Sequence, residues 1–276
     1  MTRIHTGLLC VLLLWAGAAQ SAHTTEYDVI FAGHPSGAQT TTIAADGSIR
    51  TTLSYRNNGR GPDLDERIVL APDGTFATYR VTGTSTFGSK VDERFSRRGD
   101  RVVWRSSADR GERRVEGSAQ YLPVDSSFEA AAVAARALLA AQGKPVAGLP
   151  GGQLSIERLA STTVTRGDEA RAVALYAVTG ASIQPDFIWL TDDAERSLFA
   201  FVYPGYMLVA PRGWSEAATP LDALQKEAEA KLLEALESRL AHHLGDELVI
   251  RGARVFDSER ATLSAPQDVY VHGGRI

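Results

Sequence analysis

Between residues 26 and 120, apolar and polar positions alternate in short runs separated by turn signals. The runs are residues 27–31, 40–43, 49–55, 67–70, 76–81 and 101–104, rich in Val, Ile, Tyr, Phe and Thr. Between them lie Asp46-Gly47, Asn57-Asn58-Gly59, Asp73-Gly74, Gly88-Ser89 and Gly99-Asp100. Asp-Gly and Asn-Gly supply the positive φ that tight hairpins need. Alternation of this kind predicts antiparallel strands with one dry and one wet face, and a meander this long must curl or close. The period then changes. Ser126 as N-cap with Glu129 as its capping-box partner, an Ala-rich stretch over residues 130–141, and Gly143 with Pro145 beyond it predict a helix. Its small, nearly uncharged surface suits close packing inside a curved sheet.

Strand signals return at residues 153–165, 171–178, 187–190, 198–203 and 206–210, joined by turns such as Arg166-Gly167-Asp168 and Pro204-Gly205. These late runs are apolar on both faces and read as central or helix-covered. The order of meander, helix and further strands is similar to the open half-barrel wrapped round a helix in periplasmic lipoprotein-carrier-like domains. A second helix is predicted from Thr219 as cap and Pro220 at the first helical position, with Leu221, Leu224, Ala228, Leu232, Ala235 and Leu236 at helical spacing and Gly245 as its end. At about 1.5 Å per residue it would be roughly 35 Å long, enough to connect two domains.

Composition changes this picture at the N-terminus. Arg3, the apolar run of residues 8–15 and the small residues at 16–22 predict a secretory signal peptide over residues 1–22, with Ala19 or Ala22 as its last residue. The mature chain is thus expected to be periplasmic or secreted, with no stable membrane insertion. The single cysteine, Cys10, falls within that signal, so the mature chain has no disulfide. A net charge of −4 gives no reason to expect nucleic acid as a partner.

The last stretch, residues 247–276, combines an apolar run at Leu248-Val249-Ile250, a turn at Arg251-Gly252, a β-prone run at residues 253–256, the run Asp268-Val269-Tyr270-Val271 and a Gly273-Gly274 turn. The pattern Ile-Arg-Gly-Ala-Arg-Val-Phe-Asp, loop, Asp-Val-Tyr-Val-His-Gly-Gly-Arg-Ile closely resembles the opening of metal-dependent amidohydrolases (the imidazolonepropionase-like composite sandwich). In that superfamily such a segment begins a small β-sandwich, completed after an intervening (β/α)8 barrel. The resemblance implies an exported N-terminal fragment of a hydrolase of non-peptide carbon–nitrogen bonds, truncated before its barrel. The missing barrel and sandwich strands would be its partners. A zinc-like divalent metal is implied for the complete enzyme and none for this chain. The isolated chain is then expected to be inactive, and its open tail edges to favour self-association.

The expected architecture is therefore mainly β (α+β): an antiparallel curled sheet or half-barrel round one helix, a long helix, and the first strands of a sandwich. The domains are residues 1–22 (signal), 23–213 (β-rich accessory domain), 214–245 (connecting helix) and 246–276 (incomplete sandwich segment).

No residue is assigned to catalysis, to a cofactor or to a metal. No His-x-His pair occurs, and His242 and His243, adjacent on a predicted helix, diverge by about 100° and cannot share an ion. His272 falls on a strand position that the resembled family varies. Gly33-His34-Pro35-Ser36-Gly37 reads as a hairpin turn and not as a nucleophile elbow, which needs a strand-to-helix turn. The arginines at 94, 97, 98, 101, 105, 110, 113 and 114 are interleaved with Asp92, Glu93, Asp100, Asp109, Glu112 and Glu116 and read as a solvated sheet face. Phe187, Trp189, Phe199, Phe201, Tyr203 and Tyr206 read as core. The alternative to the hydrolase fragment is a non-catalytic exported β-rich domain, its curled sheet opening to hold a lipid or other apolar ligand.

Overall fold

The computed structural model describes residues 22–242 and 245–276. The expected signal segment, Ala22 apart, and His243 lie outside the described residues. The protein is mainly β. Its first half is an antiparallel meander of β1 (His23–Phe31), β2 (His34–Ile43), β3 (Ile49–Tyr55), β4 (Asp63–Leu70), β5 (Phe76–Thr84), β6 (Lys90–Arg98), β7 (Arg101–Arg105) and β8 (Arg110–Arg114). Then come β9 (Ala119–Tyr121), α1 (Phe128–Ala140) and β10 (Val146–Leu149). A second meander follows in β11 (Gln153–Arg166), β12 (Glu169–Thr179), β13 (Asp186–Thr191), β14 (Leu198–Tyr203) and β15 (Met207–Pro211). The sheet order is β8-β7-β6-β5-β4-β3-β2-β1-β15-β14-β13-β12-β11-β10-β9, a single fifteen-stranded sheet in which β15 joins the two meanders through β1. Tyr27 faces Pro211 and Phe31 faces Met207 in that seam.

β9 and β10 run parallel, and α1 is the crossover that a parallel pair requires. One core takes Val29, Leu53, Ile68, Tyr79, Phe95 and Trp104 from the first meander, Ala132, Val133 and Ala135 from α1, and Tyr176, Ile188 and Val209 from the second. The other face of the second meander is also dry. Val173, Leu175, Trp189, Phe199 and Val202 pack there with Trp214, Ala218 and Leu221, the last two from α2 (Ser215–Ala218) and α3 (Pro220–Leu240). This double burial explains why β12–β15 read as apolar on both faces. Gln225 of α3 ties the layers together: its Oε1 accepts from Trp189 Nε1 at 2.9 Å and its Nε2 donates to the Val202 carbonyl at 2.9 Å.

Several local expectations need correction. The N-cap of α1 is Ser127, whose Oγ accepts from Ala130 N; Ser126 stands outside the helix and Glu129 pairs with Arg136 at 2.6 Å. β6 and β8 were hidden by their charge. Thr219 is not the N-cap of α3 but the C-cap residue of α2: its backbone is helical and its hydroxyl donates to the Ser215 carbonyl. α3 ends at Leu240, so His242 is not helical. The turn before Ser36 is Ala32-Gly33, both at positive φ (46° and 81°), and His34–Ile43 is strand.

The described residues divide into two units, one ending at Ala228 and one beginning at Glu229. In the second, β16 (Glu247–Ala253) pairs antiparallel with β19 (Gln267–His272), and β17 (Phe256–Asp257) with β18 (Thr262–Leu263). The expected turn at Arg251-Gly252 is instead a bulge within β16. The register shifts between Ile250 and Ala253, Gly252 takes φ 65°, and its N–H donates to Asp268 Oδ1 at 2.9 Å.

Gln225→Leu is expected to lower stability by about 2 kcal/mol, since it strands a buried indole N–H and a buried carbonyl. Urea unfolding followed by tryptophan fluorescence measures this.

Candidate functional site

Two glutamates on the inner sheet face set the geometry of the site. In β4 the alternation Leu64-x-Glu66-x-Ile68 places Glu66 in phase with buried apolar neighbours, and in β6 Val91-x-Glu93-x-Phe95 does the same for Glu93. Both side chains are buried. Strand register puts Thr41, Thr51, Glu66, Val81 and Glu93 in one row across β2–β6. That row captures the chain as it leaves β9. Glu93 accepts from Tyr121 Oη at 2.7 Å, from Val124 N at 3.0 Å and from Asp125 N at 3.2 Å. Glu66 Oε2 accepts from Ser127 N at 3.0 Å, and Ser127 Oγ donates to Glu66 Oε1. Next to the row, Gln39 Oε1 accepts from Phe128 N at 3.0 Å. Two backbone N–H groups at the start of α1, those of Ser127 and Phe128, are thereby satisfied by the sheet itself.

Burial pushes the Glu66 carboxyl above its ordinary value of 4.5, against the donors from Ser127 and Tyr79. Geometry agrees. Tyr79 Oη lies 2.7 Å from the Asp125 carbonyl and 2.8 Å from Glu66 Oε2. The single phenolic proton serves one of these acceptors at a time; when Tyr79 donates to the Asp125 carbonyl, a protonated Glu66 can donate in turn to Tyr79 Oη. Burial also raises Glu93, although three donors oppose it.

The captured segment forms one wall of a cleft of about 460 Å³. Leu122, Pro123 and Phe128 stand on that wall, and Ala130, Ala131 and Ala134 of α1 form the floor. Val178, Ile188 and Phe201 of the second meander lie opposite. The floor is open because alanine on this face leaves the room that a larger side chain would fill. Phe201 packs on Phe128 at 5.1 Å and on Tyr203 at 5.4 Å between ring centroids. Asp186 stands at the rim, with an accessible side chain whose pKa the surrounding wall raises by desolvation. The cleft's volume and largely apolar lining suit a small apolar ligand.

The aromatic group read as core divides. Trp189 and Phe199 are buried beneath α2 and α3, whereas Tyr203 and Tyr206 are 52% and 55% exposed and line open space. The arginine-rich face is laced with acids, as in Arg101 with Glu112 at 2.6 Å and Arg114 with Asp100 at 2.6 Å. Glu93 does not belong to it, because its side chain points into the core. His34 is on β2, and His272 lies 3.6 Å from Glu247. Among the described residues, no three His, Cys, Asp or Glu side chains gather as metal ligands would.

No family model and no curated protein matches the chain. Among solved structures the chain is similar to a β-barrel-like protein of domain of unknown function DUF1849 from Brucella abortus. The identity is 10% and the TM-score 0.35, over 69% of this chain and 98% of that one. The amidohydrolase resemblance read from residues 247–276 is therefore corrected. Neither the family models nor the curated proteins return that family. Short apolar runs with Gly-Gly turns encode a bulged hairpin, and many families contain one.

The raised pKa fixes a sign. Between about pH 4.5 and the folded value, Glu66 holds a proton that the unfolded chain releases, so its contribution is complete below that window and is lost as pH rises through it. Stability to urea is expected to fall as pH rises above about 4.5 and through the raised folded value of Glu66. Glu66→Gln, which stays neutral, should flatten the fall, and Glu66→Ala should cost about 2–4 kcal/mol at low pH.

Proposed function

We propose that this chain is a non-catalytic binding protein for a lipid or another apolar ligand. In this reading its sheet is a half-barrel curled round α1, and the ligand lies in the cleft between α1 and β12–β14. The observation that carries it is the alanine floor. Ala131 and Ala134, both half-buried, present methyl groups to the cleft where core-filling side chains would stand, while aromatic and aliphatic residues form the walls. Burying an apolar chain there gains about 25 cal/mol per Å² of surface removed from water. Three features support the reading further. The floor helix is seated by buried hydrogen bonds, so the cleft is preformed and binding costs little ordering. Its lining offers few polar groups, which fits an apolar occupant. The N-terminal signal pattern fits an exported protein, where such ligands must cross an aqueous space. Residues 1–22 are then removed, and the β-rich body carries the function.

Native mass spectrometry of protein purified without refolding is expected to reveal a retained lipid, and the delipidated protein should bind a fluorescent fatty-acid probe. Ala134→Trp places an indole in the cleft and should weaken the probe by at least about tenfold while leaving the circular-dichroism spectrum unchanged. Probe binding that is absent, or indifferent to Ala134→Trp, overturns the reading.

A further inference from the structure

The cleft has a neighbour on the same surface. Tyr55, Tyr203 and Met207 line both it and a second, more open groove of about 550 Å³. Phe31 holds the aromatic side of this groove together, with its ring 5.3 Å from Tyr55 and edge-on to Tyr206 at 5.2 Å. The far end has different chemistry. The β3–β4 turn places Asn58 and Gly59 at positive φ (51° and 73°), and the next residue, Arg60, lines the groove with Asn57 and Asn58. Its guanidinium lies 5.8 Å from the centroid of Phe87, a ring that is 79% exposed.

Two nearby arginines are paired with carboxylates: Arg56 with Asp63, and Arg50 with Asp65. Arg60 has no carboxylate within ion-pair distance among the described residues; the groove has no acidic side chain in its lining, and Asp63, in the adjoining hollow that Arg60 and Phe87 also line, is paired with Arg56. Asp186 lines the cleft and not the groove. An anion is therefore disfavoured at the cleft rim and favoured at Arg60. The small apolar floor lies on one side of the shared border of Tyr55, Tyr203 and Met207, and Arg60 on the other.

We propose that the groove receives the polar end of the cleft's ligand. The ligand class is then a long-chain amphiphile with an anionic head, a carboxylate or a phosphate, that pairs with Arg60 beside Phe87. Guanidinium matches either oxyanion with two parallel N–H donors, and Phe87 shields the pair from water on one side. This inference rests on the cleft being the apolar site.

The test is competition against the fluorescent probe by three ligands of equal chain length: hexadecanoic acid, its lysophosphatidic acid and uncharged hexadecanol. Wild-type protein is expected to bind one or both acids about tenfold more tightly than the alcohol, the fold-change of a charge-assisted hydrogen bond. Arg60→Glu should abolish that preference by weakening the acids alone, and Arg60→Lys should retain part of it. Which acid competes better separates a free fatty acid from a phospholipid head. If wild type binds alcohol and acids equally, or Arg60→Glu weakens all three alike or none, the head assignment is overturned while the cleft stands. If none of the three ligands binds wild type, the cleft reading falls and this inference with it.

Discussion

The capture of the segment before α1 by two buried glutamates is the constraint on which the site depends. Removing a carboxyl group from water is costly, and the cost is tolerated only where donors or a proton compensate it. Glu66 and Glu93 are compensated by backbone N–H groups of residues 124, 125 and 127 and by the hydroxyls of Tyr79, Tyr121 and Ser127. Without the glutamates those three backbone N–H groups would lose their acceptors. The interaction is thus mutual, and it fixes where α1 begins. Since Leu122, Pro123 and Phe128 form a cleft wall and the first two turns of α1 form its floor, the shape of the cleft follows from these bonds.

A sheet of fifteen strands cannot stay flat, because strand twist accumulates. Its two meanders join at β1–β15, and their inner faces contribute to one core together with α1. The helix opposes both meanders with small side chains. Where those side chains are Ala132, Val133 and Ala135, the core closes over them. Where they are the half-buried Ala131 and Ala134, space remains. One helix therefore serves as core on one face and as the floor of a cavity on the other.

Turn chemistry and alternation were legible. Asp46-Gly47, Asp73-Gly74 and Arg166-Gly167-Asp168 are turns, and the strands beside them lie within a few residues of their expected positions. What hid β6 and β8 was charge: Arg94, Arg97, Arg110, Arg113 and their acidic neighbours dominate those segments and conceal the period-two burial of Val91, Glu93 and Phe95. The helix cap moved by one residue because Ser126 and Ser127 are equivalent locally, and only Ser127 reaches Glu66. Of the candidate site, the Ala-rich helix and the aromatic strands were visible. Glu66 and Arg60 were not singled out, although Glu66 sits in phase with Leu64 and Ile68, a signal that alternation alone could have supplied.

The sequence by itself determined the β-rich class, the helix with a small-residue surface, the hairpin turns and the absence of a His-x-His pair. These depend on backbone preference and side-chain period over a few residues. Tertiary structure alone decided that β15 returns to β1, that a glutamate from β4 and one from β6 meet the same loop, and that Tyr203 and Arg60, 143 residues apart by numbering, border one groove. Such contacts depend on how the two meanders are brought together, and no local pattern encodes that distance. The tail shows the same limit from the other side: a run of residues specifies a bulged hairpin, and a hairpin does not specify a family.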